Sequence, residues 1–181
     1  MDVFSEIFEQ ARWKNDLLWR RAFYEPWGFR FPCERSGGFH MVVQGECYVR
    51  YSDRTELLQK GDLAIIRPGC HHDLVSAPRS RARSVRELAE STPEAPGPGG
   101  IPLTTLVSVR HEVPDGPVHP FFHEIPEVLI LRQAEIPLNH PIHTTCAMIA
   151  AEVGSGIGSD LILQRLTDIL LYSALRQWLE S

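Results

Sequence analysis

At 181 residues and a formal net charge of −5, the chain is long enough for one domain plus an appendage, and its acidity argues against nucleic-acid binding by this chain alone. Its apolar fraction of 43% and charged fraction of 23% are those of an ordinary globular protein. No run approaches the roughly 18 apolar residues of a membrane span, and Met1–Glu6 lacks the basic start and apolar run of a signal peptide, so a cytoplasmic location away from membranes is expected. Cys33, Cys47, Cys70 and Cys146 are widely spaced without a CxxC pair, which reads as reduced thiols and not as a zinc finger or disulfide scaffold.

In chain order, helical spacing of Val3, Phe4, Ile7, Phe8 and Ala11 predicts an amphipathic helix over 2–14. The stretch from Trp19 to Phe31 is rich in aromatics and broken at Pro26-Trp27-Gly28, and the alternation Phe29-Arg30-Phe31 predicts a strand. Phe39–Val43 and Glu46–Tyr51 read as a hairpin turning at Gln44-Gly45, with a short strand at Thr55–Leu58 after it. Gly61-Asp62 and Pro68-Gly69 are turns that bracket the apolar run Leu63-Ala64-Ile65-Ile66, and His72 opens the next strand. Short strands at spacings near ten residues favour an antiparallel sandwich or barrel.

Residues 76–102 collect prolines, glycines and arginines and read as a long mobile excursion whose charges face water, with a helical turn near Val85–Ala89. Leu103–Val113 and Glu127–Arg132 read as strands, with an aromatic loop, Pro120–Pro126, between them. Helices are expected over Thr144–Val153 and Asp160–Leu179, with Ser159 as N-cap of the second. The division is therefore a β unit over 1–135 and a helical unit over 136–181. The last helix is apolar around most of its circumference and needs cover on both sides. That predicts a homodimer formed through Leu163, Leu166, Leu170 and Ala174.

The chemistry-bearing motifs are few. There is no nucleophile elbow, phosphate loop, HExxH or evident carboxylate pair, so nothing demands an enzyme. His71 and His72 are neighbours on a strand, so at most one faces a cavity. Strand parity alone leaves open whether His40 or the pair Phe39 and Met41 points inward.

Several stretches, taken in order, carry a resemblance. Trp27-Gly28-Phe29-Arg30-Phe31-Pro32 resembles a "WGLRLP" motif, and Phe39–Gly45 resembles "FHLVLRG". Leu58–Ile66 resembles "LxxGDLVLL", Pro120–Leu131 "PLLxxLPxVIxL", and Leu170–Leu179 "LxxxLRxWL". Together they resemble the N-terminal cupin-like sensor domain of AraC-type transcriptional regulators, within the cupin superfamily. The resemblance implies a mainly β fold with C-terminal α: a cupin-type antiparallel β-barrel, or double-stranded β-helix, followed by a helical hairpin. It implies a small-molecule effector in the barrel, dimerising helices, and DNA binding by a separate C-terminal domain whose linker would begin near Ser181. The expected effector cavity holds His40, His72, Trp27, Tyr48 and Ser108. With Phe39 and Phe121-Phe122 beside them, a mostly apolar ligand with one polar group is expected.

The metal-binding cupins carry HxH and a glutamate upstream of the glycine matching Gly45, and the matching positions lie near Cys33, Glu34 and Gly38. The remaining donor set is His40, His72 and Cys33, suited to zinc, nickel or iron. A metal-dependent cupin enzyme of dioxygenase or isomerase type is the alternative to a non-enzymatic sensor.

Overall fold

A computed structural model describes residues 2–11, 14–90, 104–113, 119–152 and 156–181, and their side chains except at 10–18 and 88–90. The part of the 76–102 excursion from residue 91 on, and Gly154-Ser155 of the helix separator, lie outside the described residues. The chain begins with α1 (Val3–Ala11), shorter than the helix expected over 2–14. Next come β1 (Lys14–Phe23), β2 (Gly28–Phe31), β3 (Ser36–Gln44), β4 (Glu46–Tyr51), β5 (Arg54–Gln59), β6 (Leu63–Ile66) and β7 (His72–Val75). A two-residue β8 (Arg83–Ser84) runs into α2 (Val85–Glu90), followed by β9 (Thr104–Glu112), α3 (Phe121–Glu124) and β10 (Val128–Leu131). The helices α4 (Pro141–Glu152) and α5 (Ser159–Leu179) end it. Among the described residues no helix is long and apolar enough to cross a membrane.

The strands form two five-stranded sheets, β1-β9-β3-β6-β10 and β5-β4-β7-β2-β8. They make a sandwich in which no described ladder closes a barrel. The expected β3–β4 hairpin is corrected: the chain crosses from one sheet to the other at Gly45, which sits at φ 74°. The reason is burial. From Gly37 to Val42 every residue of β3 is buried, so β3 lies between β9 and β6 with both faces covered. In contrast, β4 alternates buried and half-exposed, and it pairs with β5 and β7 in the sheet whose outer face meets water.

Two cores follow. Between the sheets, Val42, Ala64, Ile66 and Leu106 pack against Phe29, Phe31, Val49, Leu58 and Leu74. On the far side of the first sheet, Phe39, Met41, Leu63, Ile65 and Val107 pack under α1, α4 and α5. The residues assigned to a dimer contact belong to this second core, which is a correction. Leu163, Leu170 and Ala174 are fully buried and Leu166 nearly so. At i, i+3, i+7 and i+11 they share the α5 face laid on the sheet. Each fully buried leucine contributes about 1.5–3 kcal/mol to folding, so this face is not available to a partner.

Ser159 is likewise not the N-cap: Gly158, at φ 81°, holds that place. The Ser159 hydroxyl donates to the Glu152 carbonyl at 3.0 Å and accepts from the Arg20 guanidinium. Arg20 also donates to the Glu152 carbonyl at 3.3 Å and lies 3.6 Å from Asp160. One side chain of β1 thus clasps the α4–α5 junction.

The Gly61-Asp62 turn is held as firmly. Gly61 sits at φ 86°, and a β-carbon there would overlap the Gln133 side chain. The buried Asp62 carboxylate accepts from the Gln59 and Gln133 backbone N–H groups, both at 3.0 Å, and from Arg132 at 3.1 Å. Arg132 also donates to the Leu57 carbonyl and pairs with Glu56 at 3.3 Å. Asp62→Ala leaves two amides and a guanidinium without their acceptor and is expected to lower unfolding free energy by about 3 kcal/mol. Urea denaturation checks this, and a loss under about 0.5 kcal/mol would show that the turn does not need the carboxylate.

Candidate functional site

The site grows from the parity of β3. Phe39 and Met41 face the helices, so His40 and Val42 face the other sheet. Across the first sheet, His40 stands in register with Ser108 of β9. Across the gap, the Pro68-Gly69 turn delivers His72 to the start of β7, where it pairs with Phe31 of β2. Phe31 stacks on the His72 ring with centroids 4.7 Å apart and planes 5° apart.

The polar groups form one chain. Ser108 Oγ lies 2.7 Å from His40 Nδ1, His40 Nε2 lies 2.8 Å from His72 Nε2, and His72 Nδ1 lies 3.2 Å from the Cys70 carbonyl oxygen. A carbonyl only accepts, so His72 Nδ1 carries the hydrogen. His72 Nε2 is then the acceptor, His40 Nε2 donates to it, and His40 Nδ1 accepts from the Ser108 hydroxyl. One obligatory acceptor at Cys70 fixes the tautomer of both rings. Burial supports the same state: it pushes His40 well below the ordinary histidine range, with the His72 ring adding to the shift. It brings His72 down to about 4. Both imidazoles are neutral at pH 7.

This arrangement does not fit the expected metal set. Both ring nitrogens that carry lone pairs are occupied by hydrogen bonds within the chain. Cys33 Sγ lies 3.9 Å from His72 Nδ1, on the opposite side of the ring from His40. Burial also raises the Cys33 thiol, which disfavours the thiolate a metal needs. Among the described residues no group of three His, Cys, Asp or Glu converges on one point.

Beside the histidines opens a cavity of about 630 Å³, within the range of small-molecule sites. Trp19, Phe31, Pro32, Cys33, Ile66 and Val85 supply much of its wall. Of the residues expected there, His40, His72 and Ser108 come together and Cys33 joins them. Trp27 does not line it; it stacks on Phe23 at 4.8 Å within the aromatic core. Tyr48 is corrected too: Cys47, Val49 and Tyr51 are the buried set of β4, so Tyr48 lies on the outer face. Phe39 and Phe122 belong to the helix-side core, with Phe121 packed against it. The aromatic wall is supplied instead by Trp19 and Phe31. Trp19 is one of the aromatics of 19–31, but the sequence alone does not bring it to the cavity: the inward positions of β1 are Trp19, Arg21 and Phe23, and Arg21 breaks the apolar alternation that marks a strand.

A family model described as a cupin matches residues 2–180. Among curated proteins nothing matches significantly. Solved structures that resemble the chain include a putative glyoxylate-induced protein of Pseudomonas aeruginosa, at 13% identity and TM-score 0.38, covering 69% of this chain and 44% of that one. They also include ToxT of Vibrio cholerae, at 10% identity and TM-score 0.44, covering 93% of this chain and 55% of that one. The chain thus spans about half the length of these solved chains. The family match, which runs nearly end to end, carries the identification.

The neutral histidines make stability depend on pH. Their folded pKa values lie below the unfolded value near 6.5, so the unfolded chain takes up protons first on acidification. Stability is complete above pH 6.5 and falls as pH drops from there toward about 4, where His72 protonates in the folded state as well. His111, buried and brought down to about 3, adds to the same slope. Each such histidine contributes a slope approaching about 1.4 kcal/mol per pH unit. Urea unfolding at pH 7.0 and 5.0 should show the loss, and His40→Gln/His72→Gln should show a smaller one. An equal loss in the variant would contradict the neutral chain.

Proposed function

The chain belongs to the cupin family, in the form that stands at the N-terminus of AraC-type regulators, and from that premise we propose that it is an effector-binding and dimerisation domain. A small molecule enters the cavity between the sheets, and two copies associate through their C-terminal helices. Their arrangement controls a DNA-binding helix-turn-helix domain elsewhere in the full regulator. The carrying observation is the cavity itself: about 630 Å³, walled largely by apolar residues, with a satisfied and uncharged histidine pair at its floor.

The same observation supports binding over turnover. A metal-dependent dioxygenase or isomerase needs converging donors and an open coordination position. Here His40 and His72 bond each other, and Ser108 and the Cys70 carbonyl hold their outer nitrogens.

For the dimer, the surface differs from the one first assigned. With the Leu163–Ala174 face used in the core, the large apolar residues left outside on α5 are Leu161 at 71% exposure, Ile162 at 45%, Ile169 at 52% and Leu179 at 50%. Met148 of α4 is also half exposed. Ile162 and Ile169 are two turns apart on one face. A second copy of this chain is the occupant we assign to that face.

Two measurements test the reading. Ile162→Asp/Ile169→Asp should halve the mass seen by light scattering while moving stability by no more than about 0.5 kcal/mol, as expected at exposed positions; an unchanged mass would place the contact elsewhere. A thermal-shift screen of aromatic and aliphatic metabolites should find compounds that raise Tm in the wild type and not in His40→Phe. Saturation at a hundred times Kd is worth about 2.7 kcal/mol, a readily visible shift. Compounds that stabilise both proteins equally would place binding outside this cavity.

A further inference from the structure

We propose that the cavity takes an amphipathic carboxylate, bound with its charged head at an arginine-lined mouth and its apolar body running inward toward the histidines. This rests on the reading of the cavity as an effector site and adds the chemical class of the effector.

The mouth lies beside the β1 edge of the first sheet and α2, which continues from the β8 edge of the second. Arg21, Arg86 and Arg110 line it. Arg21 stands in register with Leu106, and Leu106 faces the gap between the sheets. Arg110 is two residues from Ser108 on β9, hence on the same face, and its charge reaches the Cys33 thiol in the cavity wall. Arg86 sits on α2 across the opening. Its guanidinium has no partner among the described residues.

Among the described residues no aspartate or glutamate lines the cavity, although the chain as a whole carries a net charge of −5. Positive charge is therefore concentrated at this opening against the overall trend. Among the described residues Arg110 is paired with Glu112, at 2.9 Å, with side chains 44% and 60% exposed. Exposed pairs of this kind contribute little, so a ligand carboxylate can replace Glu112 at small cost. Arginine forks match a carboxylate in two parallel hydrogen bonds.

The floor excludes the reverse orientation. His40 and His72 are neutral and bonded to one another, and a carboxylate pushed against them would lose its water without gaining a cation. The region between floor and mouth is Trp19, Phe31, Ile66 and Val85, which suits an apolar body. The Trp19 indole N–H is buried and has no acceptor among the described residues. Arg21, Arg86, Arg110 and the Trp19 indole N–H are donors, and a carboxylate is a pure acceptor.

The experiment uses three matched pairs: 4-phenylbutyrate with 4-phenylbutan-1-ol, octanoate with octan-1-ol, and indole-3-acetate with tryptophol. Binding is read by calorimetry and, for the non-indole pairs, by quenching of tryptophan fluorescence. At least one acid should bind ten-fold or more tightly than its alcohol. That preference should collapse to under three-fold in Arg86→Gln/Arg110→Gln, and persist in the control Arg54→Gln on the exposed β5. Both cavity arginines are exposed enough for the variant to fold, which circular dichroism verifies. Acids and alcohols binding equally well would overturn the carboxylate assignment and leave the effector reading standing. Phenyl phosphate binding more tightly than every acid would overturn the carboxylate head in favour of a phosphate. No binding by any member of the three pairs would overturn both.

Discussion

The first sheet is covered on both faces, and most of what is particular to this protein follows from that. Helices α1, α4 and α5 lie on one side of it and the second sheet on the other. A strand in such a sheet cannot alternate apolar and polar residues, because neither of its faces meets water. Hence the unbroken burial of Leu63-Ala64-Ile65-Ile66 and of β3 from Gly37 to Val42. Polar side chains on these strands have only each other and the facing sheet to bond. His40 and Ser108, set side by side by register, are the result. The same constraint uses one face of α5 as cover and leaves Leu161, on the opposite side, and Ile162 and Ile169, on a flank, to the outside.

The histidine pair is a polar bond that spans the two sheets at the cavity floor. It joins β3 to β7, and its direction is set by a backbone carbonyl two residues before His72. The cupin scaffold thereby keeps histidines where a metal centre could have been built and engages their nitrogens in a neutral relay. Among the described residues, His40, His72 and Cys33 do not converge as a donor set at this floor. The space beside it is still shaped for a guest, because Phe31 stacks on His72 and holds that ring as part of the wall.

What was legible in the sequence had a local cause. The two turns around β6 were readable because Gly61 and Gly69 take positive φ and Pro68 fixes its neighbour, and all of that is written in adjacent residues. His72 followed from the turn, and His40 from the family's motif once parity had left it open. What was not legible depended on distant partners. The Gln44-Gly45 pair looks like a hairpin turn, yet which sheet each flanking strand joins is decided by β9 and β7, far away in sequence. The apolar circumference of α5 announced that cover was needed and could not say which side the sheet would take. Tyr48 was placed inside on chemistry alone, and only the parity of β4 shows that Cys47 and Val49 hold the inner positions. The charged rim was hidden for the same reason. Arg21, Arg86 and Arg110 are scattered along the chain, and Arg86 sits in the 76–102 stretch whose charges the sequence assigns to water.

The interleaving of strands has a consequence for how the chain is made. Among the described residues β1 pairs with β9, so Lys14 waits for Glu112 and Phe23 for Thr104. At the other edge, β10 pairs with β6, matching Val128 to Ile66. A ribosome releasing the chain from its N-terminus exposes β1 long before its partner exists, while the second sheet can assemble from β2, β4, β5 and β7 alone. Vectorial synthesis therefore favours the second sheet as the early unit and defers the first until β9 and β10 emerge. Pairings of such long sequence separation fold slowly. The unpaired edge of β1, with Trp19 and Phe23 on it, is the segment most in need of a chaperone during that interval.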